Sequence, residues 1–355
     1  MTAAAAVTEA VLTVDLAAIV ANWRQLGAAH AGGAVAGVVK ADGYGLGAAP
    51  VARALQAAGC RHFFVAHLRE GVALRAALGP GAMVAVLNGF APGADAAAGL
   101  TPVLNSLADL AAHAGRPGIL HLDTGMARLG VPPEQWDQLG EARPLFLMTH
   151  LAVADQPDHP LNAMQAGRFA AARARCPGVP GSLAASSGIF LGPDFASDLA
   201  RPGAALYGLN PMPGAPNPLR QVVRLEAPVL QLREIPAGTP VGYGAAWVAA
   251  RPSRVATVAA GYADGYLRSL SGKAFASFQG QPVPLIGRVS MDLVTFDATE
   301  LPGLKAGDSL TLLGPGCTPD EVAERAGTIG YEILTRLGAR YRRQYLPACS
   351  AWTCC

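Results

Sequence analysis

Of the 27 basic side chains only three are lysines: Lys40, Lys273 and Lys305. An amine able to form a Schiff base therefore has three candidates, and Lys40 has the setting for it. It closes the apolar run AVAGVV and precedes the glycine-rich turn ADGYGLG. An amine at the end of a buried strand is poorly solvated, which lowers its pKa and favours attack on a carbonyl. A lone lysine of this kind reads more simply as a surface residue reaching for water, but four further sites follow apolar runs in the same way. They are DTGMARLG at 123–130 with Arg128, THLA around His150, AASSG at 184–188 with Ser186 and Ser187, and ARPGAALYG at 200–208 with Arg201. Taken singly these are a surface cation, a core histidine, a turn and a loop charge. Together they offer a lysine, a histidine, two arginines and small residues whose N–H groups a phosphate can approach closely. That is a site for an anionic carbonyl cofactor.

Such groups need a scaffold that brings strand ends together. From about residue 35 to 206, short apolar runs alternate with Ala/Leu-rich stretches of helical character, the pattern of βα units on a parallel sheet. Eight runs can be counted: AVAGVV, HFFVA, MVAVL, PVL, GILHL, LFLMT, SLAA and GAAL. They predict an α/β protein opening with a (β/α)8 barrel, whose active site belongs at the C-terminal ends of the strands. An open doubly wound sheet is the alternative. The proline-rich segment LNPMPGAPNPLR at 209–220 marks a domain boundary. Beyond it come β-type runs separated by Gly and Pro turns, then TPDEVAERAG, a short helix with Thr318 as N-cap, Pro319 at its first position and Glu321 closing a capping box.

Composition narrows the function classes. A chain of 355 residues with 51% hydrophobic residues has room for more than one small domain and a large core. The formal charge of +2 and the lack of any basic run argue against nucleic acid. No stretch is long and apolar enough for a membrane span, and the apolar N-terminus has Glu9 and no basic segment, so a cytoplasmic location is expected. The six cysteines, Cys60, Cys176, Cys317, Cys349, Cys354 and Cys355, lack metal-ligand spacing and read as free thiols.

The motifs VVKADGYG, DTGMARLG, THLA, SSG, RPGAALYG, VGYGAAW around Tyr243, GYADGY at 261–266 and RVSMD at 288–292 resemble, in order and spacing, those of the alanine racemases. The resemblance covers almost the whole chain. It implies residues 16–215 as a pyridoxal-phosphate-binding barrel, 216–355 as a C-terminal β domain, and 1–15 as a first strand that joins that β domain.

The resemblance also implies a two-base racemisation of alanine, which needs acid/base groups on opposite faces of the cofactor. Lys40 would hold pyridoxal 5'-phosphate and act on the D-face, and Tyr243 on the L-face, with His150 supporting the tyrosine. Arg201 would face the pyridine nitrogen, where many such enzymes place an acid. Tyr44, Ser187, Gly203 and the Ala204 amide would hold the phosphate. Arg128 and the Met291 N–H would meet the substrate carboxylate, while Tyr262 and Asp292 would line the substrate passage. Tyr243 and Met291 would come from the second chain of a homodimer, and no metal is implied. The same residues serve an enzyme making D-alanine for the cell wall or one degrading it.

Three positions depart from the family pattern, the simplest being Ser290, where a cysteine is usual before Met-Asp. His121 stands where many members have a lysine able to be carbamylated and to orient the arginine, so no carbamate is expected here. Ala339 stands where many have a tyrosine, with Tyr341 and Tyr345 as possible substitutes. The rival readings are a racemase of serine or broader specificity on the same fold, and a non-catalytic pyridoxal-phosphate-binding protein, which would lack the β domain.

Overall fold

In the computed structural model, which describes residues 9–94, 98–140 and 142–348, Leu16–Arg220 forms one unit, and the first strand with the chain from Gln221 onward forms another. Cys349, Cys354 and Cys355 lie outside the described residues.

The Leu16–Arg220 unit is built on parallel strands in chain order: Gly37–Val38, His62–Val65, Met83–Val86, Thr101–Leu104, Ile119–His121, Phe146–Met148 and Gly181–Ser182. His62–Val65, Met83–Val86 and Thr101–Leu104 each bury every residue but the first. Such burial on both faces is why these runs are continuously apolar rather than alternating. Ala34–Val35, separated from Gly37–Val38 only by Ala36, pairs in parallel with Leu199–Ala200. The Ser182 hydroxyl donates to the Leu199 carbonyl (2.6 Å) and the Arg201 N–H to the Ala184 carbonyl (2.8 Å), closing a (β/α)8 barrel.

One expected strand is corrected. GAAL at 203–206 is not the eighth strand: Ala204–Tyr207 is a 3-10 turn, and Leu199–Ala200 is the strand. The Pro202 carbonyl still accepts the Val38 N–H (3.2 Å), but Pro202 has no N–H of its own to carry the ladder on, so the sheet pairing ends there and the chain turns.

Helix Leu16–Ala29 packs on this barrel through Ile19, Asn22 and Leu26, all without exposure. Asn22 is polar yet fully satisfied. Its amide donates to the Leu206 (3.2 Å) and Arg220 (2.9 Å) carbonyls and its oxygen accepts the Arg220 N–H (2.8 Å), tying the start of the unit to its end.

The second unit is an eight-stranded sheet. Its order is Ser253–Val258, Val294–Asp297, Gln281–Ile286, Phe275–Phe278, Ser309–Leu313, Val223–Ile235, Val11–Asp15 and Arg342–Leu346. Ser253–Val258 also pairs with Val223–Ile235, whose register shifts between Val229 and Gln231, so the first six strands close on themselves. A bulge of this kind bends a long strand enough to serve two neighbours. Val11–Asp15 is sandwiched, antiparallel to Val223–Ile235 and parallel to Arg342–Leu346. Thr318 caps helix Pro319–Ala326 with the reciprocal Glu321 bond expected from the sequence. The apolar stretch 281–298 is two strands, interrupted by a turn that carries RVSMD.

Asn22→Ala should leave the buried Leu206 carbonyl without this partner, at about 1–3 kcal/mol, and remove two part-buried bonds to the Arg220 backbone. A clear fall in the thermal midpoint is expected by calorimetry; a midpoint within a degree of wild type would show that these bonds do not hold the unit together.

Candidate active site

The most constrained backbone in the molecule follows Lys40. Ala41, Asp42, Gly43, Tyr44 and Gly45 all have positive φ, between 53° and 81°, and form a left-handed helical turn. Each non-glycine residue in this conformation costs roughly 1–2 kcal/mol. The turn is closed by its own backbone, with Gly45 N–H donating to Ala41 (2.8 Å) and Gly47 N–H to Asp42 (2.7 Å). Its two acidic neighbours complete it: the Asp42 carboxylate accepts the Ala48 N–H (2.8 Å) and Glu70 accepts the Ala41 N–H (2.7 Å). The effect is to place Lys40, half-buried, at the end of strand Gly37–Val38 and to fold Tyr44 back inside.

Tyr44 stacks on Tyr207 with centroids 4.7 Å apart. Its hydroxyl lies so close to Gly203 that a Cβ there would overlap it. Gly203 is therefore required for backbone and phenol to share the space. The Gly203 and Ala205 N–H groups both donate to the Ser186 hydroxyl, at 3.1 and 3.2 Å. The Ser186 side chain is thus the anchor of this loop, while Ser187, at the next position, is half-buried and opens its own 3-10 turn. Ala204 begins the other 3-10 turn.

Arg201 is 5% exposed. Its guanidinium donates to the Ser182 hydroxyl and to the Thr149 carbonyl, each at 2.5 Å, and no carboxylate pairs with it among the described residues. Burial pushes its pKa down to about 9, which still leaves a cation at neutral pH. A buried charge without a counter-ion is costly, and here the Ser182 and Thr149 oxygens are what offset it.

The surrounding groups respond to that excess of positive charge. Lys40 is held below the usual lysine range by burial and then by Arg128, with Glu70 opposing. His150 is pushed down to about 3 by burial, then by Arg201, Arg128, Lys40 and His121. His121 falls to about 4 through burial and Arg201. Both histidines are neutral at pH 7. The Nδ1 of His121 is 2.8 Å from the Asn105 Oδ1, which fixes it as the protonated nitrogen. Asp123 shapes the loop that carries exposed Arg128: burial works against its charge, but the Gly125, Met126 and Ala127 N–H groups outweigh it and hold the carboxyl low. Gln165, fully buried, accepts the Ala152 N–H and donates to the His150 carbonyl and the Thr124 hydroxyl, joining the Arg128 and His150 loops.

Lys40, Arg128, His150, Ser187, Arg201, Tyr44, Gly203 and Ala204 thus all lie just beyond the C-terminal ends of barrel strands or in the turns that follow them. The remaining expected residues lie in the β unit. Tyr243 is 73% exposed in a turn between Pro240–Val241 and Trp247–Val248, with glycines of positive φ on both sides. The Tyr262 and Ala263 N–H groups donate to the Ser290 and Met291 carbonyls, each at 3.0 Å, so Tyr262, Met291 and Asp292 sit together. Gly261 allows this approach, since a Cβ would collide with the Met291 carbonyl. Arg340 bridges buried Asp264 (2.9 Å) and exposed Asp292 (2.8 Å). Tyr341 is buried inside the β unit, and Tyr345 lies in the strand beside Val14; next to Ala339 the chain presents Arg340.

Sequence reasoning did not single out Glu70, Asn105, Thr149, Gln165, Ser182 or Arg340. Each acts by a hydrogen bond or ion pair to a residue far along the chain. A buried polar residue inside a helix, as Gln165 is, is the one signal the sequence could have offered.

The family model described as alanine racemase, N-terminal domain, matches residues 14–211, and that described as alanine racemase, C-terminal domain, matches 222–345. The chain is 54% identical to the alanine racemase of Acidiphilium cryptum over 350 residues, 94% of this chain and 97% of the relative. It is 50% identical to a catabolic alanine racemase of Mesorhizobium japonicum, over 95% and 93% of the two chains. Among solved structures, it is similar to the alanine racemase of Bartonella henselae with covalently bound pyridoxal phosphate (TM-score 0.89, 42% identity, 95% of this chain and 99% of that one). It is also similar to the biosynthetic alanine racemase of Pseudomonas aeruginosa (TM-score 0.88, 35% identity, 95% and 99%).

The two depressed histidines set a pH dependence. Unfolded, each titrates near 6.5; folded, at about 4 and about 3, so the unfolded chain binds more protons between these values. The stability they contribute is complete above about pH 6.5 and is lost as pH falls toward 4, at about 1.4 kcal/mol per pH unit for each histidine. Urea midpoints of the cofactor-free protein should drop between pH 7 and 5, and His121→Asn should flatten the slope; equal slopes would place His121 outside this titration.

Proposed function

The chain belongs to the alanine racemase family, and from that premise we propose that it interconverts L-alanine and D-alanine with pyridoxal 5'-phosphate as its cofactor. The observation that carries this reading is the buried Arg201, without a carboxylate partner among the described residues, at the end of a barrel strand as Lys40, with its lowered pKa, is at the end of another.

The chain's own atoms suit the cofactor. Lys40 offers an amine for the carbonyl, Arg201 a donor for a ring nitrogen, and Tyr44, Ser187, Gly203 and Ala204 a cradle for the phosphate at a point where a Cβ would collide. When bound, pyridoxal phosphate supplies a carbonyl that the substrate amine can attach to and a conjugated ring that draws electrons from the α-carbon. Arg201, a permanent cation, disfavours protonation of the ring nitrogen, so that the draw is moderate and proton exchange is favoured over transamination.

Two groups of the chain move the α-proton. The Lys40 amine, its pKa lowered by burial and by Arg128, takes or returns it on the D-face. The Tyr243 hydroxyl does so on the L-face. His150, neutral at working pH, supports Tyr243 as a hydrogen-bonding partner rather than as a counter-charge. Arg128 and the Met291 N–H hold the substrate carboxylate, and Tyr262 with Asp292 lines a narrow polar passage that suits a small amino acid.

Exposed Tyr243 and Met291 favour a homodimer in which each chain lends these residues to its partner's barrel. We place the enzyme in the cytoplasm, an assignment that accords with the free thiols of Cys60, Cys176 and Cys317. No helix of the described residues is long and apolar enough to cross a membrane.

The first test is L-alanine in deuterated water, with L-serine in parallel. Deuterated D-alanine should form much faster than D-serine; equal rates would favour a broad racemase, and no exchange a binding protein. Lys40→Ala should remove the absorption of the lysine-bound cofactor, and Tyr243→Phe should slow the L-to-D reaction by about 10²- to 10⁴-fold. Mixing and refolding these two inactive variants together should restore activity, because a mixed dimer holds one intact pair of bases. No recovery would mean that each chain uses its own tyrosine.

A further inference from the structure

We propose that Glu70 is a positioning residue for the Lys40 amine: its carboxylate clamps the left-handed turn behind Lys40 to the end of the neighbouring barrel strand. This rests on the reading of Lys40 as the reacting amine. Glu70 lies in the first turn of helix Leu68–Leu78, and its two oxygens have different tasks. Oε2 accepts the Ala66 N–H (2.8 Å) and the His67 N–H (3.1 Å), at the end of strand His62–Val65. Oε1 accepts the Ala41 N–H (2.7 Å), 29 residues away in sequence and adjacent to Lys40. The first task is that of an ordinary helix cap. The second is not, because the cap needs only one oxygen.

The conformation it holds is one the chain avoids. Ala41 and Asp42, both non-glycine, have φ of 53°, and relaxation of this pair toward ordinary backbone would swing the Lys40 Cα. A charge-assisted bond to the first amide of the turn opposes that relaxation, and the stronger bonds of this kind are those to an ionised acceptor. The same carboxylate is the negative group facing the Lys40 amine. Arg128 faces it with the opposite effect, and Lys40 in turn bears on His150. One side chain thereby sets both the place of the amine and part of its charge balance.

The substitution Glu70→Gln separates the tasks. It keeps the size and can keep one acceptor, but it removes the charge and cannot accept at both ends. Three measurements follow, two of them on cofactor-free protein without substrate. Hydrogen exchange at the Ala41 amide should rise at least tenfold. The pH at which Lys40 is half-labelled by acetic anhydride, followed by mass spectrometry, should fall. In the loaded enzyme kcat should drop by up to about 10²-fold, the scale of a small misplacement, with KM little changed. Glu70→Asp, which keeps the charge but shortens the reach, should raise Ala41 exchange while restoring most of the labelling shift; it also serves if the glutamine variant fails to fold. Unchanged Ala41 exchange, or an unchanged half-labelling pH in Glu70→Gln, would overturn the proposal and leave Glu70 as a helix cap. Failure of the wild type to racemise alanine would overturn the functional reading instead, since the exchange and labelling results involve no turnover.

Discussion

A reversal of helical hand directly after Lys40 is the constraint on which the barrel site depends. L-residues resist the left-handed region, and three of the residues that occupy it, Ala41, Asp42 and Tyr44, are not glycine. The unfavourable energy is offset by contacts drawn from several places: the turn's own carbonyls, the Asp42 carboxylate, Glu70 on helix Leu68–Leu78 and the Tyr207 ring. What results is geometry that ordinary turns do not offer. Lys40 stands at the C-terminal end of its barrel strand while the phenol four residues later is folded back against Gly203. Strain kept in place by surrounding structure is typical of functional sites.

Charge is the second organising element. Lys40, Arg128 and Arg201 converge on the barrel mouth, and the two nearby histidines stay neutral instead of adding to the repulsion. Asp123, five residues before Arg128, is engaged by backbone N–H groups and forms no ion pair with either arginine. A mouth with this imbalance favours a ligand bearing several negative charges, as a phosphate ester with a carboxylate substrate does. His121 fits this arrangement as an uncharged support bonded to Asn105. A carbamylated lysine at that position would instead have brought a negative charge of its own.

The parts of this fold that were legible in the sequence are those with local causes. Doubly buried strands read as unbroken apolar runs, as HFFV and MVAV do, and each ends where a motif of small or charged residues begins. Thr318 and Glu321 announce their helix because a capping box is written within four residues. GAAL misled because apolarity alone does not reveal that the ladder ends at Pro202, whose carbonyl still pairs with Val38 but which has no N–H to extend it. The strand RRQYL was invisible for the opposite reason: at the edge of a sheet, charged residues are tolerated on a strand. In the site, Lys40, Arg201 and Tyr243 stood out through their motifs. Glu70, Gln165 and Ser182 did not, since a helix that turns a polar group inward looks, in one dimension, like a helix that turns it to water. Arg340 escaped because its partners lie 48 and 76 positions earlier in the chain.

The place of strand Val11–Asp15 between two strands made much later has a consequence for biosynthesis. On the ribosome it emerges first, yet its antiparallel neighbour begins at Val223 and its parallel neighbour at Arg342. At roughly 5–20 residues per second, the wait for the first partner is on the order of ten to forty seconds. During that time the whole barrel is synthesised, and the bonds from Asn22 to Arg220 let it finish as a closed insertion with its ends pinned together. The nascent chain therefore carries an apolar strand with two open edges for as long as a TIM barrel takes to make. The barrel must reach its native form while tethered to strand Val11–Asp15, which cannot yet be paired.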